Sequence, residues 1–322
     1  MTHTILVPLD GSPLAERALP SAAVLARRGG GRLVLVRAVP YLSRPDDDRS
    51  FPTLAAAREA AAAEARGYLD GLVAHLARFG FTATAEIVEE DEVAGIAGVA
   101  RRVGATLIAM TTHGRSGLGR WVYGSVTEQL LADPPAPILL VRGWHGTPPD
   151  VALDAGAPIV VPLDGSALAE AAVPVAERLA DDLGAPLLLV RAVPPPANDW
   201  LPDALVAPFL AEDLARGEAE ARDYLRRMAD QLRAAGRPVT TEVRLGPPAA
   251  SIDDVSRRSG AGLVVMGTWG LTGLWRATLG SVADAVVRQG SVPVVLVRQP
   301  APGGGTARET ATTDEATGLR RC

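Results

Sequence analysis

Two aspartates and two glycine–serine pairs are the residues of this chain whose types and spacing could do chemistry. Asp10 ends the apolar segment ILVPLD, and Asp164 ends the nearly identical segment IVVPLD. Far downstream of each aspartate, a glycine-rich segment runs into Gly124-Ser125 and into Gly280-Ser281. A carboxylate accepts hydrogen bonds from amino and hydroxyl groups, whereas main-chain amides at the start of a helix attract an anion. Each half of the chain therefore predicts one acceptor and one anion cradle.

The glycine-rich segments read TTHGRSGLGRWVYGSV at 111–126 and GTWGLTGLWRATLGSV at 267–282. Glycines let backbone N–H groups approach an anion without a side chain in the way. The hydroxyls of Ser125 and Ser281 can add a hydrogen bond to the same anion. A purely structural interpretation stays open, in which the glycines form tight turns, these serines are helix N-caps, and the two aspartates also cap helices.

Alternating strands and helices must position these groups. Apolar runs predict strands at 5–9, 32–39, 82–88, 105–110 and 136–141, and again at 158–163, 186–193, 238–244, 261–266 and 292–298. Helical patterns lie near 13–28, 53–79, 92–103 and from 124 onwards, and again near 167–183, 203–235, 248–259 and 280–290. The first helix is expected to begin at Ser12-Pro13, with the serine as N-cap. Nearly continuous apolar strands that alternate with helices indicate an α/β fold whose parallel sheet is covered on both faces.

The carboxyl edge of such a sheet is where ligands bind, at the point where the strand order reverses. Three segments reach that edge in each half: the exit of strand one, the exit of strand two, and the glycine-rich loop after strand four. An aspartate repels phosphate but suits a donor such as an adenine amino group or a ribose hydroxyl. The backbone at the exit of strand two can bind a base. Together these segments predict a nucleotide whose base lies at strands one and two and whose phosphates lie after strand four.

Composition excludes several classes of function. The chain has 322 residues and contains no lysine, so all 32 of its basic residues are arginines. A Walker A loop, a protein kinase and Schiff-base chemistry each need a lysine. The net charge of −5 argues against nucleic-acid binding. The four histidines are scattered, and the sequence shows neither a metal-ligand cluster nor a Ser/His/Asp arrangement. We therefore predict no protein metal site and no enzyme, with slow ATP hydrolysis left open.

The length fits two domains of about 150 residues. They are expected at 1–143 and 158–299, joined by a linker at 144–157 and followed by a disordered tail at 300–322 that is poor in apolar residues. No apolar run reaches the length of a membrane span, and the N-terminus shows no signal-peptide pattern. The one cysteine, Cys322, suits a reducing compartment. These features predict a cytoplasmic protein without membrane contact.

The motifs resemble those of a known family. The pattern G-x-x-G-x9-G-[S/T] after strand four, together with V-P-x-D-x-S at strand one, is similar to that of the universal stress protein family, in particular its tandem-domain, ATP-binding members. The resemblance covers about 4–143 and 157–299. The second half carries the full motif in Gly267, Gly270 and the pair Gly280-Ser281.

The first half departs from this motif at one position and the second half at another. Thr111 stands where the first glycine belongs, whereas Gly114 and the Gly124-Ser125 pair match the pattern. Leu271 replaces the basic residue that Arg115 supplies in the first half. A β-branched side chain where the backbone should approach a ligand predicts that the second site binds at least as tightly as the first.

The resemblance implies both a fold and a ligand. Each half would be a Rossmann-like or flavodoxin-like domain with a five-stranded parallel sheet in the order 3-2-1-4-5 and helices on both faces. Each would bind ATP or AMP, with any Mg²⁺ held mainly through the phosphates. The nucleotide-binding residues would be Pro8, Asp10, Ser12, Ala38, Thr111, Gly114, Arg115, Gly124, Ser125, Val126, Pro162, Asp164, Ser166, Ala192, Gly267, Gly270, Leu271, Gly280, Ser281 and Val282.

The resemblance also implies partners. The last strands, at 136–142 and 292–298, would pair the two domains as a pseudo-dimer, and two chains would form a homodimer. The protein would couple nucleotide occupancy to a regulatory protein partner in a stress response. The alternative is an interaction module of the same fold that binds no nucleotide, and the departures at Thr111 and Leu271 are the sequence features that favour it.

Overall fold

Ten strands form one continuous sheet in this protein. The computed structural model describes residues 3–39, 52–112, 124–143, 153–195, 203–268 and 279–298. The first half contains β1 (Thr4–Pro8), α1 (Leu19–Arg28), β2 (Arg32–Ala38), α2 (Pro52–Arg78), β3 (Ala83–Val88), α3 (Glu92–Val103), β4 (Leu107–Thr112), α4 (Ser125–Ala132) and β5 (Ile138–Arg142). The second half contains β6 (Ile159–Pro162), α5 (Ala167–Glu170), α6 (Val173–Leu183), β7 (Leu187–Val193), α7 (Asp203–Ala234), β8 (Val239–Leu245), α8 (Pro248–Ser259), β9 (Leu263–Thr268), α9 (Ser281–Gln289) and β10 (Val294–Arg298).

The strand order is β3-β2-β1-β4-β5-β10-β9-β6-β7-β8. Each half thus has the order 3-2-1-4-5, which confirms the predicted α/β fold with two tandem units. The strands pair in parallel within each half, and β5 and β10 pair antiparallel at the centre, where Val294 lies opposite Leu140 and Leu296 opposite Ile138. The expected pairing of the last strands within one chain is confirmed.

Helices cover both faces of the sheet, which is why its central strands are apolar on both sides. One layer buries Leu25 of α1 and Leu69 of α2 with their counterparts on α6 and α7. The other layer buries Ile96 of α3 and Leu130 of α4 with residues of α8 and α9. The N-termini of α4 and α9 thus lie on the same face of the sheet as α3 and α8.

The boundaries of several elements differ from the sequence expectation, among them the helix expected near 167–183, which is divided into α5 and α6. The predicted first helix begins instead as a 3₁₀ turn at Ala15–Ala18, and α1 starts at Leu19. Strands β4 and β9 end two residues later than expected, so Thr111 and Gly267 belong to strands rather than to loops. The neighbouring strand explains the extension, because Thr111 pairs with Val141 in the ladder of β4 and β5.

Side chains from each half bind the end of a helix in the other half. Arg142, at the end of β5, donates to the carbonyl of Gly290, which is the C-cap of α9. Arg298, at the end of β10, donates to the carbonyl of Ala132, the last residue of α4, and its Nη1 lies 3.2 Å from Asp133 Oδ1. The two contacts are reciprocal, and both place a cation at the negative end of a helix dipole.

Among the described residues, no helix combines the length and apolar character that a membrane crossing requires.

Candidate functional site

Each half has one cavity at the carboxyl edge of its strands. The cavity in the first half has a volume of about 270 Å³ and lies between the exits of β1, β2 and β4 and the starts of α3 and α4. Its counterpart in the second half has a volume of about 370 Å³ and lies between the exits of β6, β7 and β9 and the starts of α8 and α9. These volumes lie close to or within the range of small-molecule sites.

Most of the residues that the sequence singles out meet in these cavities. The first cavity is lined by Pro8, Asp10, Ala38, Thr111, Gly124, Ser125 and Val126. The second is lined by Pro162, Asp164, Ser166, Ala192, Gly267, Gly280, Ser281 and Val282. Ser166 lines the second cavity, whereas Ser12 does not line the first. Four further predicted residues lie outside the described part of the chain: Gly114, Arg115, Gly270 and Leu271.

The turn after β1 holds its aspartate at the mouth of the cavity. Asp10 Oδ1 accepts the amide of Ser12 at 2.8 Å, and Asp164 Oδ1 accepts that of Ser166 at 2.9 Å. Gly11, which lies between Asp10 and Ser12, has a φ of +89°, a backbone conformation that favours glycine. Both carboxylates are exposed. The serines, not the aspartates, accept an amide of the following helical turn, so the interpretation of the aspartates as helix caps is wrong.

The other end of each cavity is the start of a helix. Gly124 and Gly280 are the N-caps of α4 and α9 and have extended backbones, whereas Ser125 and Ser281 are the first helical residues. The interpretation of the serines as N-caps is therefore wrong. Because both N-cap residues are glycines, neither supplies a side-chain cap to the first amides of its helix, and amides at such a helix start attract an anion.

Gly267 and Thr111 occupy matching positions in β9 and β4, and the surroundings of the two cavities differ there. A Cβ at Gly267 would overlap the carbonyl oxygen of Leu168 and lie 3.2 Å from the Cα of Ala169, so a turn of α5 packs directly on β9. Thr111 carries such a Cβ at the matching position of the first half. There the corresponding turn is 3₁₀, and Leu14 contacts Gly143 rather than the cavity, whereas Leu168 lines the larger cavity.

Sequence reasoning missed part of the lining. Ile96 of α3 and Ile252 of α8 form an apolar wall, and the strand residues Val36, Val190, Met110 and Met266 complete it. The first turn of the helix beside this wall differs between the halves, since Glu92 lines the first cavity and Pro248 the second. The sequence shows the apolar periodicity of α3 and α8. It does not show that the apolar faces of these helices extend beyond the core to the cavities.

A tyrosine–glutamate hydrogen bond lies behind each aspartate turn. Tyr68 donates to Glu16 Oε1 at 2.9 Å, and Tyr224 donates to Glu170 Oε1 at 2.8 Å. Burial raises the pKa of both phenols well above the ordinary value, and the hydrogen bond and the negative charge of the glutamate raise it further. The two halves therefore share a phenol that resists ionisation.

Alkaline unfolding should report these two phenols. Above about pH 10 the unfolded chain loses phenol protons that the folded protein keeps, so the free energy of unfolding should fall as pH rises. A chain without lysine has no ammonium side chain that titrates in this range. We expect the double variant Tyr68→Phe/Tyr224→Phe to show a shallower fall by up to about one proton per tyrosine, measured by urea unfolding between about pH 9 and pH 11.5. An unchanged slope would contradict this assignment.

In the described part of the chain, no group of three or more His, Cys, Asp and Glu side chains is placed to hold a metal ion. Any divalent cation at these cavities would therefore take most of its ligands from a bound molecule and from water.

Comparison with known proteins gives a consistent result. The model of the universal stress protein family matches residues 1–142 and 157–298. A universal stress protein of Mycobacterium tuberculosis is 32% identical over 196 residues, which covers 61% of this chain and 62% of the relative. A universal stress protein of Methanocaldococcus jannaschii is 33% identical over 142 residues, which covers 44% of this chain and 82% of the relative. The chain thus spans about three fifths of the length of its mycobacterial relative.

A solved structure covers both halves. The crystal structure of a universal stress protein from Archaeoglobus fulgidus aligns with a TM-score of 0.68 at 20% identity and covers 92% of this chain and 99% of that one. At this identity the likeness shows the fold, including the arrangement of two units in one chain.

Proposed function

This chain belongs to the universal stress protein family, and on that premise we propose that it binds one adenine nucleotide, ATP or AMP, in each half and acts as a stress-response regulatory protein. The observation that carries the proposal is the pairing, in both cavities, of an exposed aspartate at one end with a helix N-terminus that begins at a glycine at the other. A nucleotide has hydrogen-bond donors on its base and ribose and anions on its phosphates. Its two ends match the two ends of each cavity.

The nucleoside would lie at the exits of the first two strands of each half. In the second half, the base would lie between the apolar wall of Ile252 and Met266 and the backbone of Ala192. Asp164 would accept a hydrogen bond from the adenine amino group or from a ribose hydroxyl. Because a phosphate beside this carboxylate would be repelled, the carboxylate fixes the orientation of the ligand.

The phosphates would lie at the first turn of α9, where Ser281 and Val282 line the cavity. The helix dipole favours an anion there, and the Ser281 hydroxyl is exposed and can donate. A Mg²⁺ ion, when present, would neutralise phosphate charge. The glycines and basic residues of the preceding loop would add their amides and charges, as the family resemblance implies.

The second site should be the tighter one. Its cavity is larger by about 100 Å³, and Pro248 stands where the first cavity has the carboxylate of Glu92. A second carboxylate beside Asp10 adds negative charge near the anionic ligand. The alternative function, an interaction module that binds no nucleotide, is favoured by these features only in the first half.

We infer binding and regulation rather than rapid turnover. The carboxylates in the described lining, Asp10, Glu92 and Asp164, stand at the nucleoside end or at the start of α3, where they are poorly placed to activate a water at a terminal phosphate. Hydrolysis of ATP should therefore be slow. A homodimer, as the resemblance implies, would need a surface other than β5 and β10, because these strands already pair with each other.

Calorimetry on nucleotide-free protein tests the proposal. We expect ATP to bind at two sites per chain. The double variant Asp164→Ala/Gly280→Val should weaken the tighter site at least about tenfold, because it removes the acceptor and places a branched side chain where the phosphates approach. The matched variant Asp10→Ala/Gly124→Val should affect only the weaker site. Absence of heat with ATP, ADP and AMP would reject the proposal.

A further inference from the structure

An arginine at the exit of the second strand of each half touches the turn that carries the aspartate. The guanidinium carbon of Arg37 lies 5.3 Å from the centre of the Tyr68 ring, and that of Arg191 lies 4.9 Å from the centre of the Tyr224 ring. The Arg37 guanidinium also lies 3.3 Å from the place that a Cβ on Gly11 would occupy. Arg191 lies 3.4 Å from the corresponding place at Gly165. Each guanidinium thus lies close both to an aromatic ring and to the aspartate turn.

Strand geometry explains why sequence reasoning did not find these arginines. Val36 and Ala38 line the first cavity, so the alternation of side chains places Arg37 on the opposite face of the sheet, towards α2. The guanidinium returns to the sheet edge because the long side chain crosses above Gly11. Glycine suits this position for two reasons. Its φ is positive, and the absence of a side chain leaves room for the guanidinium.

The contacts form a closed chain around the aspartate turn. The tyrosine beside the guanidinium also makes a hydrogen bond: Tyr68 donates to Glu16, and Tyr224 donates to Glu170. Each glutamate lies in a helical turn, and the serine that follows the aspartate accepts a hydrogen bond from an amide of that turn. We call Arg37–Tyr68–Glu16 the first clamp and Arg191–Tyr224–Glu170 the second clamp. The three residue types and the contacts that join them are shared by both halves, whereas the ion pair of Arg37 with Glu64, at 3.4 Å, belongs to the first half.

We propose that the two clamps are positioning devices that hold Asp10 and Asp164 in the orientation in which they bind the nucleoside. The proposal rests on the nucleotide function proposed above and adds residues that do not belong to the phosphate motif. Both aspartates are exposed and sit on glycine turns, in which each accepts the amide of the following serine. The clamp adds support to the turn as a whole, from a strand, a long helix and the next helical turn.

A double-mutant cycle in the second half tests whether Arg191 acts through Asp164. Arg191→Met keeps the aliphatic stem and removes the planar cation, and we expect it to weaken ATP binding about tenfold. In the Asp164→Asn background the same substitution should change affinity by less than about twofold. Tyr224→Phe should weaken binding about threefold, because the ring stays and only the hydrogen bond to Glu170 is lost. Arg191→Lys should weaken ATP binding nearly as much as Arg191→Met, since an ammonium cannot stack on the ring as a guanidinium does. Equal losses in both backgrounds would overturn the proposal.

A second measurement does not depend on nucleotide. NMR order parameters of the Gly165 and Ser166 amides should fall from about 0.85 towards 0.6 in Arg191→Met. The control is Arg222→Met, on the same helix as Tyr224 but 63% exposed and paired along the helix with Glu218, which should change neither affinity nor order parameters. Unchanged order parameters in Arg191→Met would reject the clamp, whereas parent protein that binds no ATP would reject the proposed function instead.

Discussion

Gly267→Thr is expected to weaken ATP binding in the second half at least tenfold and to leave the first half unchanged. The Cβ of a threonine there would overlap the carbonyl oxygen of Leu168 and approach the Cα of Ala169. Both are backbone atoms, so the helical turn must move as a unit. That turn follows Asp164 directly, and both Leu168 and Ala169 line the cavity. Moving it therefore narrows the cavity and displaces the carboxylate, and a tenfold loss corresponds to about 1.4 kcal/mol of binding free energy.

The reverse substitution is the matched control. Thr111→Gly should tighten the first site, because it removes the β-branched side chain at the position where the second half has Gly267 and where backbone approach matters. Calorimetry with ATP separates the two sites by stoichiometry and affinity. A Gly267→Thr protein that keeps both affinities would show that this glycine serves the packing of α5 alone.

Much of the fold could be predicted because its signals are local. Apolar runs such as TILVP and RLVLVRA mark buried strands, and the repetition of β/α units predicts a parallel, doubly covered sheet. The strand order came from the family resemblance. The ends of β4 and β9 could not be placed so well. Thr111 and Thr112 resemble a loop by composition, and only pairing with β5 makes them strand.

The site was predictable where glycines and short motifs mark it, and not where distant residues meet. The pairs Gly124-Ser125 and Gly280-Ser281 announce helix starts in the sequence, although their division into N-cap and first residue depends on backbone angles. The contact of Tyr68 with Glu16 joins residues 52 positions apart and depends on how α2 packs on the sheet. No local pattern encodes such a contact.

The reciprocal arginines at the centre of the sheet carry the second large expected effect. The variant Arg142→Met/Arg298→Met should lower the free energy of unfolding by about 3–6 kcal/mol, since each substitution removes a charged hydrogen bond to a carbonyl at a helix end, worth about 1.5–3 kcal/mol. Arg298 is only 19% exposed, so water replaces its hydrogen bonds poorly. The loss should appear in urea unfolding and as a fall in Tm of roughly 2–4 °C per kcal/mol.

The single variants decide whether these arginines only join the halves or also support the sites. Each arginine holds the C-terminus of a helix in the opposite half, and the N-terminus of that same helix forms the phosphate end of a cavity. Arg298→Met should therefore weaken ATP binding in the first half, where α4 begins, and Arg142→Met in the second half, where α9 begins. Arg222→Met, whose exposed side chain pairs with Glu218 along α7, should change neither stability nor affinity by more than about 0.5 kcal/mol. If Arg298→Met weakened the second site instead of the first, transmission along α4 would be wrong, and the arginines would act only through the common sheet.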